Sequence, residues 1–161
     1  MKANIYFAKL HFSEGISKTI YLKFSDHGIL ELRFKKIPFA KSFHNDHPIA
    51  VEAKQQLKEY FEGERKEFTC PLVLQGTQFQ QSAWKVLRSI PYGKALSYKD
   101  QALKMNNPKA VRAVGSANGK NPIPIIVPCH RVLQKSGELG GFSAGLSYKR
   151  KLLNLEGITF N

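Results

Sequence analysis

The sequence IPIIVPCHRVL, residues 123–133, sets a cysteine, a histidine and an arginine side by side after an apolar run. Proline fixes φ and lacks an N–H donor, so the prolines at 122, 124 and 128 exclude a helix and predict a stiff, extended segment. Adjacent side chains of an extended segment point to opposite faces. Direct contact between Cys129 and His130 therefore requires a turn after Pro128, or a bridging water.

Cys129 is a candidate nucleophile because a possible base and a cation follow it directly. A cysteine attacks as the thiolate, which a nearby base or positive charge favours. His130 is the only histidine after residue 47, so the second half of the chain offers a single imidazole. A carboxylate could orient it, and Glu156 is the best candidate among the three acids of that half. The alternative interpretation of Cys129 is a small buried apolar residue, as most free cysteines are.

The basic charge is concentrated in the same half of the chain. Residues 1–72 hold 12 Lys and Arg against 9 Asp and Glu, whereas residues 73–161 hold 13 against 3. Clustered basic side chains bind polyanions by displacing counterions from phosphates. The charge is compatible with nucleic-acid binding and also with a merely soluble basic protein.

Other classes of protein are disfavoured by the composition. The two cysteines, Cys70 and Cys129, give no disulfide framework, and Cys and His lack the clustered spacing of a metal site. No apolar run approaches the roughly 20 residues of a membrane span, and the N-terminus lacks a signal-peptide core. We expect a cytoplasmic protein that does not bind a membrane, a metal ion or a cofactor.

The first part of the chain has a β-rich pattern. Apolar and polar residues alternate over NIYFAKLHF, TIYLKF and ILELRF, which predicts three strands. The segment from Asp46 to Gly63 has helical spacing, with Pro48 in its first turn. A charged turn follows, so we divide the chain into an N-terminal α/β domain, residues 1–74, and a C-terminal domain, residues 75–161.

The second part has the pattern of short helices. Thr77 is a candidate N-cap for the helical pattern TQFQQSAWKVLRSI, and Ser97 with Asp100 forms a capping-box pattern before the next helix. Asn107 and Pro108 can start a further helix, PKAVRAVGSAN. The last two helices predict a helix-turn-helix, with a plain helical hairpin as the alternative. The second of them carries small residues together with the candidate DNA contacts Lys109, Arg112, Ser116 and Asn118.

The motifs of the second part resemble those of the O6-alkylguanine-DNA alkyltransferases. PCHR at 128–131 is similar to the active-site motif of that family. The segments GTQFQQSAW, IPYGKALSY, NPKAVRAVGSANGKNPIPIIVPCHRV, GGFSAGL and KRKLLNLEG follow in the order and spacing of the family. The resemblance covers about residues 75–157, and the first part matches only loosely.

The resemblance implies an α+β protein, with a small ribonuclease H-like sheet and helix domain before a mostly helical, winged helix-turn-helix-like domain. It implies single-turnover repair, in which an alkyl group moves irreversibly from guanine O6, or thymine O4, to Cys129. His130 would deprotonate Cys129 and Glu156 would orient His130. Asn121 would hold the turn, and Tyr98 would donate to the guanine ring. The partner would be double-stranded DNA, bound through its minor groove by a monomer.

The remaining site residues are also implied by the resemblance. Ser143 would bind near O6, and the carbonyls of Val132 and of the nucleophile would accept from the exocyclic amine. Arg112 would fill the gap left by the flipped nucleotide. Phe142 stands where some members carry tyrosine and Asn118 where some carry methionine, so both bear on which alkyl groups fit.

Two other functions stay open from the residues alone. A DNA-binding module could recognise alkylated guanine without chemistry, and a cysteine hydrolase would use the same thiol with repeated turnover. One methyl group on a single cysteine of the protein after reaction would distinguish the alkyltransferase from the DNA-binding module and from the hydrolase.

Overall fold

The computed structural model describes residues 2–161, which divide into two compact units with the boundary between residues 74 and 75. Each unit has its own apolar core. In the described part of the chain, no helix is long and apolar enough to cross a membrane. The predicted fold class, a small sheet and helix domain before a mostly helical domain, is confirmed.

The first unit is an antiparallel sheet with one helix. Strands β1 (Tyr6–His11), β2 (Thr19–Ser25) and β3 (Gly28–Arg33) pair in sequence order. Their alternation is the expected one, because every second residue of β2 is buried from Ile20 onwards. Helix α1 (Pro48–Phe61) begins with proline, which needs no hydrogen-bond acceptor at that position. Its N-cap is His47, whose Nδ1 accepts from the backbone N–H of Ile49.

The second unit contains four α-helices in the described residues, namely α2 (Gln78–Ser89), α3 (Tyr98–Lys104), α4 (Val111–Gly119) and α5 (Leu146–Leu155). The predicted Thr77 cap is confirmed. The Thr77 side chain accepts from the backbone N–H of Gln80, and the Gln80 side chain accepts from the backbone N–H of Thr77. Trp84 of α2 is buried and its Nε1 donates to the carbonyl of Ala117 in α4 at 2.9 Å. This bond ties the first helix of the unit to the candidate recognition helix.

Two short strands, which the sequence pattern did not predict, connect the helices. Strand β4 (Leu96–Ser97) pairs in parallel with β5 (Val132–Leu133). Each strand has only two residues, too few to show alternation. The pair brings the start of α3 next to the chain that leaves Cys129.

The candidate recognition helix starts later than predicted. Helix α4 begins at Val111 and not at Pro108, so Lys109 lies in the turn before it. Asn106 adopts a left-handed φ of 56°, and the N–H of Ala110 bonds to the carbonyl of Asn107 at 3.0 Å. These residues form a tight turn between α3 and α4, so the backbone from Asn106 to Ala110 is not helical.

The prediction of an extended segment over residues 122–128 is wrong. The segment is a series of turns, in which the N–H of Val127 bonds to the carbonyl of Ile123 at 2.9 Å. Ile125 has a φ of 74°, an uncommon value for a β-branched residue. The prolines do prevent a regular helix. Two further bonds that hold the turns come from the side chain of Asn121, which lies outside the segment.

Candidate active site

Asn121 shapes the turn that presents Cys129. Its Nδ2 donates to the carbonyl of Val127 at 2.7 Å, and its Oδ1 accepts from the N–H of Ile123 at 3.0 Å. Residues Cys129–Arg131 then form a short 3₁₀ helix, in which the N–H of Arg131 bonds to the carbonyl of Pro128 at 3.1 Å. The chain therefore turns directly after Pro128, which removes the opposite-face geometry of an extended segment.

A buried group of charged side chains lies at this turn. His130 Nε2 is hydrogen bonded to one carboxylate oxygen of Glu156, and Arg131 Nε donates to the other at 2.7 Å. The N–H of Gly93 also donates to Glu156, at 3.1 Å, and Arg131 Nη1 donates to the carbonyl of Ile90 at 2.6 Å. All of these side chains are buried. A buried carboxylate is stable only when paired and hydrogen bonded, and both conditions are met here.

The hydrogen bond to Glu156 selects one tautomer of His130. A carboxylate accepts, so Nε2 carries the proton and Nδ1 keeps its lone pair. Among the described residues, none forms a hydrogen bond with that buried Nδ1 atom. Burial lowers the pKa of His130, which keeps the ring neutral near pH 7. The imidazole is therefore a neutral base with an available nitrogen.

The thiol is protonated in the resting site. Burial raises the pKa of Cys129 to about 11, against a smaller lowering by the side chain of Asn121 and by the charge of Lys149. Burial also raises the pKa of Cys70 to about 11, and Cys70 is a free thiol in the first unit. Cys129 differs from Cys70 in having an imidazole, that of His130, directly after it in the chain.

A cavity of about 400 Å³ opens onto Cys129. Besides the cysteine, it is lined by Tyr98 at the start of α3 and by the loop from Gly140 to Ser143. Gly140 has a φ of 67°, and a Cβ built on it would lie 2.6 Å from the Tyr98 hydroxyl. Only glycine allows this approach. The other lining residues are Val111, Gly115, Asn118, Gly119 and Gln134.

The predicted site residues fall into three groups in the structure. Those that line the cavity are Tyr98, Asn118, Cys129, Phe142 and Ser143. Those that are buried without lining it are Asn121, His130, Val132 and Glu156. Those that are exposed are Lys109, Arg112 and Ser116.

Asn118 is not an exposed residue of the candidate recognition helix. It is buried, and its amide exchanges two hydrogen bonds with the amide of Gln101 in α3, at 2.7 and 2.9 Å. Gln101 Nε2 also donates to the carbonyl of Ala83 in α2 at 3.2 Å. This amide pair joins three helices of the unit, and its Asn118 member lines the cavity.

Sequence reasoning missed two residues of the site. Lys149 is fully buried in α5, and Gln101 is fully buried in α3. Lys149 shares a helix face with Leu152 and Leu153, both fully buried, at the i+3 and i+4 spacing. That spacing was the available signal, because a lysine on an apolar face is rarely buried without a specific partner. Arg131 is anchored by its salt bridge to Glu156 and by its hydrogen bond to the carbonyl of Ile90.

No group of three or more His, Cys, Asp or Glu side chains within residues 2–161 could hold a metal ion. The polar side chains at the cavity are a thiol, a phenol, amides and a hydroxyl. They are suited to hydrogen bonding with a flat polar ring, next to a nucleophile with its base.

The two parts of the chain match two models of one family. Residues 78–158 match the DNA-binding domain of 6-O-methylguanine DNA methyltransferase, and residues 19–74 match the ribonuclease-like domain of the same family. The constitutive methylated-DNA–protein-cysteine methyltransferase of Bacillus subtilis is 52% identical over 118 residues, covering 73% of this chain and 72% of that protein. The Methanosarcina mazei protein named methylated-DNA–protein-cysteine methyltransferase is 51% identical over 143 residues, covering 89% and 85%.

Solved structures give the same result for the fold. The crystal structure of the Mycobacterium tuberculosis OGT protein in complex with DNA has a TM-score of 0.84 and 40% identity, covering 94% of this chain and 92% of that one. The crystal structure of the O6-methylguanine methyltransferase from the same organism has a TM-score of 0.79 and 38% identity, covering 95% and 93%.

Proposed function

The chain belongs to the 6-O-methylguanine DNA methyltransferase family, and we propose that it repairs DNA by transferring an alkyl group from guanine O6 to Cys129 Sγ. The observation that carries the assignment to Cys129 is its position. The thiol lines a cavity that also presents a phenol, amides and a hydroxyl, and the ring of the next residue is a neutral base oriented by a carboxylate. Cys70, the other free cysteine, is buried among residues of the first unit without a comparable base.

The chemical step is a displacement at the alkyl carbon. His130 Nδ1 takes the thiol proton, directly or through water, and the Sγ–carbon bond forms as the carbon–O6 bond breaks. The electron pair of the broken bond stays with the guanine, and the Tyr98 hydroxyl donates to the ring to stabilise that charge. A thioether is not hydrolysed by the side chains at the cavity, so each molecule acts once.

The surrounding residues support this step in different ways. Glu156 holds the tautomer and orientation of His130, and Asn121 holds the turn. Ser143 binds near O6 from the cavity loop, and Phe142 closes the apolar wall. The carbonyls of Cys129 and Val132 accept from the exocyclic amine, although each already accepts one hydrogen bond within the protein. A carbonyl has two lone pairs, so the second position remains for the base.

Helix α4 is the proposed DNA-binding element. Arg112 and Ser116 are exposed on it, together with the small residue Ala113, and Lys109 precedes it. Small side chains let the helix approach the minor groove closely, and Arg112 then fills the gap left by a flipped nucleotide. All of the proposed site residues lie in residues 75–161 of one chain, which supports action as a monomer.

The test is to map the alkyl group after reaction. The protein is mixed with a duplex that contains O6-methylguanine, digested and analysed by peptide mass. We expect one methyl group on the peptide with Cys129 and none on the peptide with Cys70. Cys70→Ala should react like the wild type and Cys129→Ala should not react. Bound DNA with an unmodified protein would favour a damage-binding module without chemistry.

A further inference from the structure

Lys149 is a buried cation that the reaction described above does not use. It is fully buried in α5. Lysine is among the residue types that are least often fully buried in proteins. Its Nζ donates to the carbonyl of Val132 at 2.7 Å and to the carbonyl of Gly141 at 3.1 Å. It also lies 5.9 Å from the centroid of the Tyr98 ring. The Lys149 side chain therefore contacts the strand that follows Cys129, the cavity loop and the phenol.

The two carbonyls bonded by Lys149 belong to different walls of the site. Val132 begins strand β5, three residues after the nucleophile, and Gly141 lies in the middle of the loop that lines the cavity. Of the three N–H donors of an ammonium group, two are used to hold these walls together. The chain from residue 140 to residue 145 has no helix or strand, and Gly140 and Gly145 have positive φ values, so the bond from Lys149 adds a fixed contact to a segment without regular backbone hydrogen bonds.

The charge of Lys149 has no carboxylate partner within salt-bridge distance among the described residues. The titratable groups that face it are the thiol of Cys129, with the imidazole of His130 on the same turn, and the phenol of Tyr98. Glu156 and Arg131 pair with each other next to His130. A thiolate formed at Cys129 would therefore be the anion that offsets the ammonium.

We propose that Lys149 is a positioning residue of alkyl transfer, which fixes the cavity loop against β5 and supplies the positive charge that stabilises the Cys129 thiolate. The inference rests on the proposed function and extends it to a residue of α5. Burial lowers the pKa of Lys149 to about 8, while the thiol raises it. The lysine charge in turn lowers the pKa of Cys129. The two groups therefore titrate as a coupled pair.

The coupling has a signature in the pH dependence of thiol reactivity. When the pair loses one proton, that proton can come from the thiol or from the ammonium. Two forms with one proton therefore coexist, a thiolate beside an ammonium and a thiol beside an amine, and their ratio does not change with pH. The population of the ammonium–thiolate form then rises with pH up to about 8 and levels off above it. Without Lys149, thiolate forms only by direct loss of the thiol proton and continues to rise with pH.

The experiment measures the alkylation rate of Cys129 by iodoacetamide as a function of pH, with peptide mass to separate it from Cys70. The sulfur–carbon bond forms and iodide leaves, so neither DNA nor alkylguanine is needed. Lys149→Met removes the charge and the donors, whereas Lys149→Gln removes the charge and keeps an amide N–H. The matched control is Lys151→Met, which removes an exposed lysine from the same helix.

We expect the wild type and Lys151→Met to level off near pH 8. Lys149→Met should rise through that range without levelling and react about tenfold or more slowly at neutral pH, the effect of removing one nearby opposite charge. A wild-type profile for Lys149→Met, or for Lys149→Gln if the methionine variant fails to fold, overturns the assignment. If the wild type shows the profile but accepts no alkyl group from DNA, the proposed function fails and the role of Lys149 in ionisation stands.

Discussion

Replacement of Arg131 by leucine tests the buried charge group next to Cys129. The substitution removes the 2.7 Å bond to Glu156 and leaves the carbonyl of Ile90 without its 2.6 Å bond from the guanidinium. The Glu156 side chain is fully buried and that of Arg131 is 7% exposed, so solvent screens the pair little. Removing one partner of a buried ion pair costs about 3–5 kcal/mol, because the other charge stays buried.

The same substitution changes the titration of His130. The charge of Arg131 lowers the pKa of His130, whereas Glu156 raises it. Without Arg131 the pKa of His130 therefore rises, and the protonated ring cannot accept the thiol proton. We expect alkyl transfer by Arg131→Leu to fall off at a higher pH than in the wild type as the solution is made more acidic.

Urea unfolding and the pH profile of the transfer rate measure the two effects. Arg150→Leu is the matched control, since Arg150 is exposed on α5 and its loss should change stability by no more than about 0.5 kcal/mol. The rates are measured with free O6-alkylguanine, so a lost DNA contact does not contribute. A loss below about 1 kcal/mol for Arg131→Leu, together with an unchanged pH profile, would refute the reasoning.

Three further substitutions probe other contacts of the site. Gly140→Ala should lose about 1–2 kcal/mol to backbone strain at its φ of 67° and slow alkyl transfer, because the new Cβ meets the Tyr98 hydroxyl. Gly157→Ala has a similar φ of 69° with open space, so equal transfer rates in the two variants would contradict the steric explanation. Gln101→Leu should cost about 1–3 kcal/mol in urea unfolding, because a buried amide partner is left unsatisfied. Arg112→Ala should slow repair of duplex DNA far more than reaction with free alkylguanine, and equal slowing of both would argue against its insertion into the duplex.

Local patterns predicted the helices and strands whose causes are themselves local. Alternation located the three strands of the first unit, and Thr77 was identified as a cap from its own position before an amphipathic run. The later start of α4 was not predicted, because the turn over residues 107–110 depends on the left-handed backbone at Asn106. Asparagine tolerates that conformation, but its presence does not require it.

The contacts of the site could not be predicted from local sequence patterns either, because they join residues that are distant in the sequence. The sequence predicted the adjacent Cys129 and His130 as a nucleophile and its base, and Glu156 as the orienting carboxylate by elimination among three acids. Their contacts depend on the turn held by Asn121 and on the packing of α5, which brings residues 25 and 26 positions apart into hydrogen-bond distance. Lys149 was overlooked because it stands in a run of basic residues, where exposure is the usual expectation.

The stoichiometry of repair tests the central claim most directly. A duplex with O6-methylguanine is held in excess over the protein, and restored guanine is counted against moles of protein until the reaction stops. We predict that repair ends at one guanine per molecule of active protein, with a methyl group on Cys129 in each. Restoration of guanine beyond one equivalent, or with Cys129 unmodified, would contradict it.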